Sequence, residues 1–94
     1  MERITGPVNG FYIATRSSRS RADAGFLALS KVCRGRPESF SAAYCCARIE
    51  PIRAFPTEQE AIADAERRAR DETLALLPYA FAKPSGMQSA LDRA

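Results

Sequence analysis

From Gly10 to Arg16 the side chains alternate, with Phe11, Ile13 and Thr15 on one side and Tyr12, Ala14 and Arg16 on the other. A period of two marks a half-buried strand, so residues 10–16 are predicted to form one with Phe11 and Ile13 inward. Residues 26–33 predict a second strand, with Phe26, Ala28 and Val32 inward and Leu27, Leu29, Lys31 and Cys33 outward. Residues 40–49 predict a third, with Ala43, Cys45, Ala47 and Ile49 inward and Tyr44, Cys46 and Arg48 outward. A long polar loop over 16–25 and a turn over 34–39 connect them. Pro51 interrupts the third strand, and residues 52–55 either resume it or add a short fourth.

The period then changes. Thr57 followed three residues later by Glu60 reads as a capping box, each side chain bonding the other's main-chain amide. Ala61, Ile62, Ala65, Ala69, Thr73 and Leu76 recur at helical spacing and predict a helix from about residue 58 to 77, ended by Pro78. Its polar face carries Asp64–Arg68 and Glu66–Arg70 pairs at four-residue spacing. The stripe is mostly alanine, so the surface beneath it must come close and carry the larger side chains. These elements predict an α+β domain, a three-stranded antiparallel meander (four with residues 52–55) followed by one long helix on one face, β-β-β-α. The expected limits are a flexible N-terminus at 1–9, the domain at 10–82 and a disordered tail at 83–94. Nothing but that tail is left to cover the other sheet face, which must then be polar, self-associated or used for binding.

Ninety-four residues suffice for one small core. Up to residue 54 there are nine Lys/Arg against four Asp/Glu, and afterwards five against seven. The basic excess thus lies in the predicted sheet and its loops, where it suits a polyanion. Cys33, Cys45 and Cys46 are an odd set without a Cys-x-x-Cys spacing, and the chain has no histidine. Free thiols in a reducing compartment are expected, with no metal site and no cofactor. No apolar run is long enough to span a membrane and residues 1–7 lack an apolar signal core, so no membrane association and a cytoplasmic location are expected.

The predicted open face presents Tyr12, Arg16, Lys31, Tyr44 and Arg48, and the loops add Arg19, Arg21, Arg34 and Arg36. Rings beside arginines can stack bases and hold phosphates, which makes these nine the candidate nucleic-acid contacts. Cross-strand packing with a solvated rim accounts for any one of them singly. Leu27 and Leu29 share the same face and support the alternative, a homodimer or protein-interaction module. An enzyme is not expected: acid–base chemistry without histidine would fall to carboxylates that sit on the solvated helix face. Cys33 beside Arg34, or Cys46 near Arg48, has a basic neighbour, yet a free cysteine is more often an inert small hydrophobe.

Phe55-x-Thr57-x-x-Glu60-Ala61-x-x-x-Ala65, after three strands, resembles the strand-to-helix junction of three-stranded-sheet DNA-binding domains of the ethylene-response-factor and integrase N-terminal type. The resemblance covers eleven of the 94 residues. It implies a sheet face laid in a DNA major groove, with Arg16, Lys31 and Arg48 as contacts. The tryptophans that the ethylene-response type carries on its sheet are absent here.

Overall fold

The structure, a computed structural model, describes residues 1–22 and 24–80, the last three by their backbone alone. The expected tail at 83–94 lies outside these residues. Four strands, β1 (Glu2–Val8), β2 (Phe11–Arg19), β3 (Phe26–Cys33) and β4 (Ala47–Ile49), precede one helix, α1 (Glu58–Ala80). The strands form a single antiparallel meander in chain order. The chain is therefore α+β, an open antiparallel sheet with a helix packed on one face.

The fourth strand comes from the N-terminus rather than from residues 52–55. Residues 1–9, expected to be flexible, hold β1, which pairs with β2 from Glu2↔Arg16 to Val8↔Phe11. Asn9 and Gly10 both adopt positive φ, 51° and 87°. That is the two-residue turn an Asn-Gly pair makes between strands. Gly6-Pro7 conceals the strand in the sequence because neither residue favours one. Here they occupy a register shift between Thr5 and Val8, on an edge where proline needs no ladder bond.

Two further boundaries move. β2 continues to Arg19, opposite Phe26, so the hairpin loop shortens to residues 20–25 and is closed by the Ser20 amide bonding to the Gly25 carbonyl at 2.9 Å. The expected third strand shrinks to Ala47–Ile49, because residues 40–43 take a turn in which the Ala43 amide bonds to the Phe40 carbonyl. Residues 52–55 form no strand, although Phe55 exchanges both main-chain bonds with Phe26 at 2.8 Å.

α1 begins as its sequence dictates. The Glu60 amide bonds to Thr57 Oγ1 at 3.1 Å and the Thr57 amide to Glu60 Oε1 at 3.3 Å. The helix passes residue 77 and continues to Ala80. Pro78 forfeits only one helical bond this near the end. Ala61, Ile62, Ala65, Ala69 and Thr73 are buried, as the spacing predicted. They pack on the sheet face of Phe11, Ile13, Ala28 and Val32, with Ala47, Ile49 and Leu76 at the margin. The alanine stripe meets the larger sheet side chains, and full burial of Phe11 and Ile13 stabilises by about 1.5–3 kcal/mol each. Within this layer Thr15 and Ser30 share a 2.7 Å hydrogen bond that satisfies both buried hydroxyls.

Among the described residues, no helix is long and apolar enough to cross a membrane.

Candidate polyanion-binding cleft

The sheet face away from α1 carries Tyr12, Ala14, Arg16, Leu27, Leu29, Lys31 and Arg48, as alternation assigned them. Tyr44 and Cys46, assigned to the same face, precede β4 and lie off the ladder, and Cys33, also expected outward, is buried. The face is not open at its centre. Phe40, in the β3–β4 connection, folds onto it and is only 5% exposed. The Arg16 guanidinium lies 4.7 Å and the Lys31 ammonium 4.3 Å from the ring centre. Lys31 Nζ also donates to the Phe40 carbonyl at 2.9 Å, and Arg16 Nη2 to Ser41 Oγ at 3.0 Å. This corrects the expectation that only the tail could cover this face. Phe40 sits between serines in Ser39-Phe40-Ser41, without alternation, so nothing in the pattern singled it out.

The cations on this face are also partly neutralised. Arg16 donates twice to Glu2 Oε2, at 3.0 and 2.6 Å. That hydrogen bonding holds the Glu2 carboxyl below its ordinary value, against a smaller desolvation effect. Arg48, beside Lys31 in the ladder, pairs with Glu50 at 3.1 Å. Leu27 and Leu29 are half-buried in the floor of a shallow groove of about 230 Å³ between Phe40 and Pro51.

Beyond the end of β3 lie two further cations, Arg34 and Arg36. A cleft of about 400 Å³ is bounded on one side by Arg34, Gly35, Arg36 and Pro37 and on the other by Ala42, Tyr44, Cys45 and Cys46. Its two walls are the outgoing and returning arms of the β3–β4 connection, tied at the base by the Cys46 amide bonding to the Val32 carbonyl at 2.6 Å. Tyr44 is 95% exposed. The Arg36 guanidinium lies 5.9 Å from the ring centre of Tyr12, near the start of β2 and opposite Cys33. Among the described residues Arg36 has no carboxylate partner.

Of the nine predicted contacts, the cleft therefore joins Arg34, Arg36 and Tyr44, with Tyr12 behind Arg36. Arg16, Lys31 and Arg48 lie along the adjoining sheet face. Arg19 and Arg21 lie apart, at the far end of the β2–β3 hairpin, where Arg19 stacks on Phe26 at 4.8 Å.

The cleft also gathers the thiols. Cys45, expected inward on a strand, precedes β4 and is exposed, as is Cys46. The turn at 40–43 takes this segment off the ladder, so alternation no longer applies. Cys33 is buried at the end of β3, where desolvation and then the nearby Cys45 and Cys46 push its thiol up, against Lys31. Desolvation also pushes up the Cys46 thiol, opposed by the Arg34 charge and a hydrogen bond from the Arg34 main chain. Among the described residues, no three His, Cys, Asp or Glu side chains are placed to hold a metal ion.

Compared with protein-family models, curated proteins and solved structures, the chain matches none.

Proposed function

We propose that this chain is a small, non-enzymatic nucleic-acid-binding protein whose contact surface is the cleft beyond β3. Arg34 and Arg36 hold backbone phosphates and Tyr44 stacks a base. The observation that carries this reading is the placing of two arginines and a 95% exposed tyrosine on one cleft. A ring left that exposed contributes nothing to the core, whereas a base laid on it stabilises a complex by about 1–3 kcal/mol. Lys31, Arg48 and Arg16 extend the basic surface along the sheet. Arg19 and Arg21 contribute only to the longer-range field.

The resemblance at residues 55–65 implies a duplex across the sheet face. The Phe40 segment standing on that face favours a single strand at its end instead. The free thiols suit a reducing compartment such as the cytoplasm.

Fluorescence anisotropy with a labelled mixed-sequence single strand at low salt tests the proposal. Tyr44→Ala is expected to weaken binding about fivefold to a hundredfold. Arg36→Ala is expected to lower the slope of log affinity against log salt by about 0.7, one phosphate contact. Unchanged affinity in both variants overturns it. A second reading, self-association, rests on Leu27 and Leu29 in the floor of their groove. It requires a wild-type dimer in sedimentation that Leu29→Glu converts to monomer.

A further inference from the structure

The cleft brings together two kinds of side chain that the nucleic-acid reading does not use jointly. Adjacent cysteines, Cys45 and Cys46, line the same 400 Å³ space as Arg34 and Arg36. Both thiols are exposed, while the third cysteine, Cys33, is 1% exposed behind them. The volume suits a small molecule rather than a protein segment. Its two guanidinium groups select carboxylates, and its two thiols react with sulfur. A ligand that uses both carries acidic groups flanking a disulfide bond.

We propose that the Cys45–Cys46 pair is a mixed-disulfide site for anionic low-molecular-weight disulfides, docked by Arg34 and Arg36. A thiolate of the pair attacks one sulfur of the disulfide. The S–S bond breaks, a new bond joins the cysteine sulfur to that half, and the other half leaves as a thiolate and takes up a proton. The protein thiol is oxidised and the departing half reduced, so no other oxidant is required. Cys46 is tethered to β3 through its amide, which holds the thiol wall against the basic wall, and the Arg34 charge opposes, without outweighing, the desolvation that pushes the Cys46 thiol up. The adduct fills the cleft with negative charge and excludes a phosphate backbone. That last consequence rests on the nucleic-acid reading, whereas the adduct itself does not.

The test uses the full chain with oxidised glutathione, and bis(2-hydroxyethyl) disulfide as the neutral comparison. Rates are read by intact mass, and sites from the peptides holding residues 33 and 45–46. For each disulfide the rate is divided by that of a free cysteine derivative. The expected result is one glutathionyl adduct on residues 45–46, with an anionic preference about tenfold above the reference. That preference disappears in Arg34→Ala/Arg36→Ala, and Cys45→Ser/Cys46→Ser takes no adduct. An adduct on Cys33, a preference equal to the reference, or a preference surviving the arginine replacements overturns the proposal. Anisotropy on the purified adduct then decides the blocking. Loss of oligonucleotide binding supports it and retained binding removes it. If the unmodified chain binds no oligonucleotide, the nucleic-acid reading and the blocking fall together and the adduct result stands on its own.

Discussion

Arg3 of β1 grips Glu66 of α1 with two parallel hydrogen bonds, Nε to Oε2 at 2.7 Å and Nη2 to Oε1 at 2.6 Å. The carboxylate is buried, its side chain 5% exposed, while the guanidinium is half in water. The pair raises the Arg3 pKa, through the hydrogen bond first and the Glu66 charge second. It replaces the Glu66–Arg70 pair expected from helical spacing. Removing the arginine alone strands a buried charge, which in a dry interior costs about 3–5 kcal/mol. The exposure of Arg3 lets water reach the site, so Arg3→Ala is expected to cost about 2 kcal/mol in urea denaturation. Arg3→Ala/Glu66→Leu should recover most of that loss, because no charge is then left behind.

Gly25 and Gly35 are both loop glycines, yet they should respond oppositely to alanine. At Gly25 a Cβ would lie 2.4 Å from the Phe55 carbonyl oxygen, and φ is +124°. Nothing lies within 4 Å of a Cβ at Gly35. Thermal unfolding of Gly25→Ala is expected to show a loss of about 2–3 kcal/mol. Gly35→Ala should stay within about 0.5 kcal/mol of wild type.

Stability should fall at both ends of the pH scale. Glu2 and Glu58 are held below their ordinary value of 4.5, Glu2 chiefly by its hydrogen bond with Arg16 and Glu58 by that with Ser17. Desolvation pushes Asp64 up, but hydrogen bonds from Arg68 and Arg67 outweigh it and hold the carboxyl below 3.8. A lowered acid stabilises fully above its unfolded value, and that stabilisation is lost as pH falls through the folded one. Cys33 and Cys46 are raised above 9.0, so their contribution is present below that value and lost as pH rises through the folded one. Denaturation midpoints should be level from about pH 6 to 8, declining below about 4.5 and above about 9.

Phe40→Ala separates the cleft from the sheet face as the proposed nucleic-acid contact. The ring is buried under two cations, and its loss is expected to cost about 2–3 kcal/mol. Arg16 and Lys31 would be released toward solvent, while the β3–β4 connection loses its anchor. Binding through the cleft predicts weaker oligonucleotide affinity in the variant. Tighter binding would place the contact on the sheet.

Local periodicity carried the helix and the facing of the central strands. Thr57 and Glu60 are three residues apart, and Phe11, Ile13, Ala28 and Val32 are set inward by simple alternation. The N-terminal strand was missed, with residues 1–9 expected to be flexible: residues 2–8 barely alternate, Gly6-Pro7 conceals the strand, and its hairpin signal, Asn9-Gly10, went unread. The remainder depends on distant partners. Glu66 meets Arg3 across 63 positions, and Phe40 finds its place only because Arg16 and Lys31 already stand side by side on the sheet. The cleft follows from that docking, so its arginines could not be grouped with its adjacent thiols from spacing alone.

The register shift at Gly6-Pro7 bears on how the protein behaves at high concentration. An exposed sheet edge invites strands of other molecules, and an uninterrupted one seeds fibrils. The outer edge of β1 is broken midway by an extra residue and a proline that cannot donate. The opposite edge is β4, three residues long. Each border is thus a poor template, and the sheet can stand at high concentration without becoming the first layer of an aggregate.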